Sequence, residues 1–144
     1  MRITAAILFL ILIIPIYAQE KSMDEIPGKT ITLAALEEMF QNIQENTDWD
    51  TSEDMLWGYF FTHHEPSKLE AAKEYLTDKG YNFVGIYIGD KDDASAPDIY
   101  WLHVERIETH TSKTLDARND ELYIYANEVG IDSYDGMDIG PIGK

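Results

Sequence analysis

Cysteine is absent from the 144 residues, which excludes a disulfide framework, a redox pair, a zinc ribbon and a thiol nucleophile. Cations are scarce. Eleven Lys and Arg stand against 27 Asp and Glu, for a formal net charge of -16. Phosphate backbones and anionic lipid repel such a polyanion, so neither nucleic-acid binding nor adsorption to a membrane surface is expected. The chain also lacks a Gly-rich phosphate cradle, a Gly-x-Ser-x-Gly elbow and any nucleophile beside an evident base, so no catalytic residue and no cofactor is expected. What is plentiful is apolar and aromatic surface, at 44% and 12% of residues, too much for a disordered chain and enough for one domain with a single core.

The longest apolar run, Ile3 to Tyr17, follows Met1-Arg2 and ends in Pro15-Ile16-Tyr17-Ala18. It is shorter than the roughly 20 residues that span a bilayer and has the charge and ending of a secretory signal peptide. Cleavage after Ala18 is the expectation, giving a periplasmic or secreted protein; retention as an N-terminal membrane anchor is the alternative. No Cys follows the run, so lipid attachment there is excluded. Residues 19–30 are polar, broken by Pro27-Gly28, and read as a linker to a domain over 31–144.

Within that domain, Leu36, Met39, Phe40 and Ile43 stripe a helix over 31–45, followed by an acidic loop, Asn46 to Asp54, that holds Trp49. Alternation over Met55–His64 predicts a strand, and Pro66 opens a helix striped by Leu69, Ala72 and Leu76 and closed by Gly80. Strands are expected over 81–88 and 99–109, joined by a charged turn at 89–98. A helix begins at Thr111 or Ser112, carries Leu115, Leu122, Ala126 and Val129, and ends at Gly130; a short strand over 131–139 completes the domain. After the leading helix the order is βαββαβ, the split pattern of an α+β ferredoxin-like sandwich with an antiparallel sheet.

In that fold both crossover helices cover one sheet face, and Val84, Ile86, Ile88, Leu102 and Val104 are expected beneath them. The other face would then show Trp57, Tyr59, Phe61, Tyr81, Phe83, Tyr87 and Trp101. So large an apolar area needs a cover, either the 31–45 helix folded back over it or a second protein.

The four histidines, His63, His64, His103 and His110, raise the question of a metal. Neighbours on a regular strand point to opposite faces, so His63 and His64 are not expected on one ion. His63, His103 and Glu105 form the one trio that could serve an ion or a hydrolase, and a structural or partner-binding role is the favoured reading. Asp90, Asp92, Asp93 and Asp98 fail the calcium-loop pattern, whose glycine and twelfth-position glutamate fall on Ser95 and Trp101.

Phe61-Thr62-His63-His64, Leu69-Glu70-Ala71-Ala72, Lys79-Gly80-Tyr81 and Tyr134-Asp135-Gly136 together resemble the RraB family, the protein regulators of ribonuclease E. The resemblance runs over about residues 55–140. It implies a ferredoxin-like domain that is not an enzyme and that restrains RNA turnover by binding ribonuclease E through that enzyme's basic scaffold region. The expectation is an acidic protein-binding regulator with a basic partner, anchored by Trp57, Tyr59, Phe61, Trp101 and Tyr134, with His63, His64, His103 and Asp135 in support. An immunity-like inhibitor of a basic nuclease is the alternative from the same surface.

Overall fold

A computed structural model describes residues 25–143. The signal-peptide or anchor segment, 1–18, and the first part of the linker lie outside these residues. Three helices, α1 (Leu33–Asn46), α2 (Pro66–Asp78) and α3 (Ser112–Val129), accompany four strands, β1 (Met55–His63), β2 (Asn82–Ile88), β3 (Tyr100–Glu108) and β4 (Ser133–Gly140). Among them no helix is long and apolar enough to cross a membrane.

The elements start and stop where local chemistry dictates. Thr32 accepts from the Ala35 amide and opens α1, and Pro66 opens α2, where its missing N–H is no loss. Thr111 and Thr114 close a reciprocal capping box on α3. Gly80 after α2 and Gly130 after α3 take positive φ, the left-handed turn that ends a helix with least strain in glycine.

The strands form one antiparallel sheet in the order β2-β3-β1-β4, as a ferredoxin-like sandwich requires. All three helices lie over the same face. Leu69, Ala72 and Leu76 of α2 and Leu115, Leu122 and Ala126 of α3 are buried there, while Val129 is exposed. α1 rests on α3 and reaches the sheet with Leu36 and Phe40, the latter 6.1 Å from the Trp57 ring.

The faces differ from the alternation argument. β1 pairs with β3 so that Tyr59 lies opposite Val104 and Phe61 opposite Leu102, and directly opposed residues share a face. Trp57, Tyr59 and Phe61 are therefore in the core with Leu102 and Val104, each no more than 1% exposed. Tyr81 is buried too. In β2 a register shift between Phe83 and Gly85 sets both Phe83 and Ile86 on the helix side, opposite Val104 and Leu102. Being on an edge strand, Val84 and Ile88 stay about half exposed instead of joining the core. Alternation fixes which residues of one strand travel together; the pairing register decides which way they face.

Residues 25–30, the described part of the expected linker, contact α3. Lys29 Nζ lies 3.0 Å from Asp116 and 2.5 Å from Asp120, and the Ile31 amide donates to Tyr123 Oη at 3.3 Å.

The face assignment has a measurable consequence. Phe61→Ala is expected to cost about 3–5 kcal/mol of unfolding free energy and Trp101→Ala less than about 2, read by denaturant titration. Equal costs would place both rings in similar surroundings and contradict the register.

Candidate functional site

The uncovered face is less aromatic than expected and more polar. It carries Leu56, Gly58, Phe60 and Thr62 of β1, and Trp101, His103, Glu105 and Ile107 of β3. Tyr87 of β2 sits opposite Trp101, and Asp138 of β4 opposite Gly58. Trp101 meets the Phe60 ring edge-on at 6.4 Å, and its indole nitrogen occupies the space a side chain at Gly89 would need. His103 stacks on Phe60 with centroids 4.4 Å apart.

At the centre of this face is a notch at Gly58. Its amide donates to Asp138 Oδ1 at 3.1 Å, and a Cβ there would fall 2.3 Å from that oxygen and 2.9 Å from His103 Nε2. Glycine in a central strand weakens it, and here the missing side chain is what admits the other two groups. His103 Nε2 is buried without a hydrogen-bond partner among the described residues; Glu105 Oε1, at 3.6 Å, is close enough for an ion pair but too far for a hydrogen bond.

His63 takes no part in that group. It is 3% exposed on the opposite, helix-covered side of the sheet, so the trio of His63, His103 and Glu105 does not exist. His63 and His64 instead stack on each other at 4.3 Å, because β1 ends at His63 and alternation ends with it. With Asp132 they bring three ligand-type atoms together, but the hydrogen bonds oppose a metal there. The Glu65 amide donates to His63 Nδ1 at 2.8 Å, so the ring proton sits on Nε2, which donates to the Gly130 carbonyl at 3.0 Å. Both nitrogens are occupied in joining the end of β1 to the end of α3. His64 is exposed and bonds Asp132 through Nδ1 at 2.7 Å; this contact holds its imidazole pKa above the ordinary value.

Tyr134 is buried, donating from its hydroxyl to Asn119 Oδ1 at 2.6 Å. It is therefore packed in the core, as are Trp57, Tyr59 and Phe61. Asp135 next to it is exposed, with partial burial raising its carboxyl pKa, and Gly136 has φ +113. Of the predicted anchors only Trp101 lies on the open face, where it is joined by the supporting residue His103.

The strongest electrostatic cluster escaped the sequence. Glu108 Oε1 accepts from Arg118 at 2.6 Å and Tyr59 Oη at 2.7 Å, and lies 3.0 Å from His110 Nε2. Burial pushes this carboxyl up, but those three partners outweigh it and hold the pKa at about 2. The Tyr59 hydroxyl is driven well above its normal range, chiefly by burial and then by the Glu108 contact. Trp57 donates to the Glu108 carbonyl at 3.0 Å. Every partner of this carboxylate is thus a residue that positions the core, and the cluster locks β1, β3 and α3 together.

Beside it, α1, the 47–52 loop and the start of α3 enclose a cleft of about 740 Å³. Phe40, Trp49 and His110 supply its rings and Glu37, Asp48 and Asp50 its acids. Asp50 is tied into its own turn through Ser52, which lowers its carboxyl pKa.

The Glu108 cluster sets an acid limit on stability. A depressed carboxyl pKa stabilises the fold fully above the ordinary value of 4.5, and that contribution is lost as pH falls from there towards 2. Glu108→Gln is expected to remove about 1.5 to 3 kcal/mol at neutral pH and to flatten stability across that acid window, measured by denaturant titration at a series of pH values. An unchanged profile would contradict the cluster.

Residues 33–139 match the RraB family, described as regulator of ribonuclease activity B. No curated protein matches the chain. The match covers every strand and helix except the last residue of β4. The chain belongs to the RraB family, whose described role as a regulator fits a protein that is not an enzyme.

Proposed function

We propose that this protein is a non-catalytic regulator that works by holding a basic protein partner, a ribonuclease in the family's setting, through its acidic exterior. The observation that carries this reading is where the charge goes. Lys29, Lys73, Lys91, Arg106 and Arg118 each lie within ion-pair distance of a carboxylate of the same chain. The acids far outnumber them. Asp48, Glu53 and Asp54, and Asp90, Asp92 and Asp93, are exposed on loops. Such an uncompensated field speeds the encounter with a cationic polypeptide and repels other polyanions.

The proposal includes export, on the strength of residues 1–18. An exported regulator meets a basic partner outside the cytoplasm, and ribonuclease E is then replaced by a protein of similar charge in that compartment; the ribonuclease reading holds for a chain that stays inside.

Two measurements separate these arms. In a purified ribonuclease E cleavage assay, added chain is expected to slow RNA turnover at low salt without changing the cleavage sites; no slowing at saturating chain would remove the ribonuclease arm. Mass spectrometry of the protein from cells is expected to find Gln19 as the first residue, in the soluble envelope fraction. A chain that still begins at Met1 and sediments with membranes would contradict cleavage.

A further inference from the structure

The two edges of the sheet are finished differently. β4 carries Asp135 and Asp138 within its span, and Gly136 kinks it with φ +113. Charges and irregularities of this kind keep an edge from pairing with another chain. β2, the opposite edge, reads Asn-Phe-Val-Gly-Ile-Tyr-Ile, with no charge and no proline. Phe83, Val84, Tyr87 and Ile88 are 42–54% exposed along it. The shift between Phe83 and Gly85 leaves Gly85–Ile88 as the regular stretch.

The outward hydrogen-bonding groups of that stretch follow from its pairing. The Gly89 amide donates to the Ile99 carbonyl at 2.8 Å, and the register runs unbroken from there through Tyr87 with Trp101 and Gly85 with His103. An antiparallel ladder alternates bonded and non-bonded pairs, so Gly89, Tyr87 and Gly85 turn their amides and carbonyls to β3. Those of Ile86 and Ile88 point away from the sheet.

We propose that β2 is a docking edge: an extended segment of a basic protein partner adds to it as a fifth strand, its apolar residues beside Val84, Tyr87 and Ile88 and its cationic flank over the turn that follows. This rests on the regulator reading above and names the surface it uses. Charge selects the occupant. The turn after β2 presents Asp90, Asp92 and Asp93, and its one cation, Lys91, is already tied to Asp98 at 2.7 Å. Pairing of two copies would bring two bodies of -16 together, whereas a lysine- or arginine-flanked strand meets the acidic end favourably. Main-chain bonds to Ile86 and Ile88 supply affinity that does not depend on the partner's sequence, and the flank supplies selectivity.

The test uses isotope-labelled full chain and two capped decapeptides, each with an alternating Thr-Val centre, one flanked by lysines and the other by glutamates. The lysine peptide is expected to bind at low salt, shifting and protecting the Ile86 and Ile88 amides, and the glutamate peptide to bind at least about tenfold more weakly. Ile88→Pro removes an outward amide without touching the β3 ladder and is expected to weaken binding about tenfold. Ile88→Thr keeps that amide and is expected to stay within about threefold, since a half-exposed side chain contributes little; thermal unfolding of both variants confirms an intact fold. Lysine-peptide shifts confined to the 47–54 loop, or equal affinity in Ile88→Pro and the parent chain, would overturn the edge while leaving a basic partner in place. Failure of the lysine peptide to bind at all would overturn both. Equal binding of the glutamate peptide, or a dimer formed through β2 without peptide, would overturn the choice of occupant.

Discussion

The register between β1 and β3 governs the molecule. By setting Tyr59 against Val104 and Phe61 against Leu102, it turns the aromatic row of β1 towards the helices, where α1, α2 and α3 close over it. A slip of one residue would move Trp57, Tyr59, Phe61 and His63 to the open side and leave Phe60, Thr62 and Gly58 to fill the core. That alternative is opposed from both ends. At one end, His63 bonds the Gly130 carbonyl and the Glu65 amide; at the other, Trp57 bonds the Glu108 carbonyl. The polar atoms of β1's buried residues act as register pins whose partners exist in one alignment only.

The charge is divided along the same line. One carboxylate, Glu108, is drawn inward and given Arg118, Tyr59 and His110 as partners, so its burial is compensated. The exposed loop acids have no such partners in comparable number and project their field into solvent. This separation also accounts for the histidines. His63 and His110 are buried with both ring nitrogens engaged and serve the fold. His64 is held at the surface by Asp132, and His103 alone has a buried ring nitrogen without a partner among the described residues. Among the described residues, the buried polar groups thus hold strands in place, while most of the charge stays on the exterior.

The order and span of the elements could be read from the sequence because caps, stripes and alternation are local. Leu69, Ala72 and Leu76 lie where the helical period places them, and Gly80 and Gly130 end their helices with positive φ. The pairing of faces could not be read, since it depends on contacts about 45 residues apart along the chain, such as Tyr59 with Val104. The bulge in β2 inverted its parity at Phe83 for the same reason. Four of the chosen anchors, Trp57, Tyr59, Phe61 and Tyr134, are large rings that the core needed first. Asn119, a polar residue in the middle of an apolar stripe, was the overlooked sign: it is fully buried because Tyr134 satisfies it. Trp101 and His103 were placed correctly because their own strand alternates without interruption.

If negative charge on the folded body does the binding, affinity for a basic partner must depend on salt. The direct measurement is the dissociation constant for a purified basic partner, such as the scaffold region of ribonuclease E, followed across a tenfold range of monovalent salt. A steady loss of affinity is expected as salt rises, with the amides of Trp57, Tyr59 and Phe61 as protected from exchange in the complex as in the free chain. Affinity that is independent of salt, or loss of that protection on binding, would contradict it.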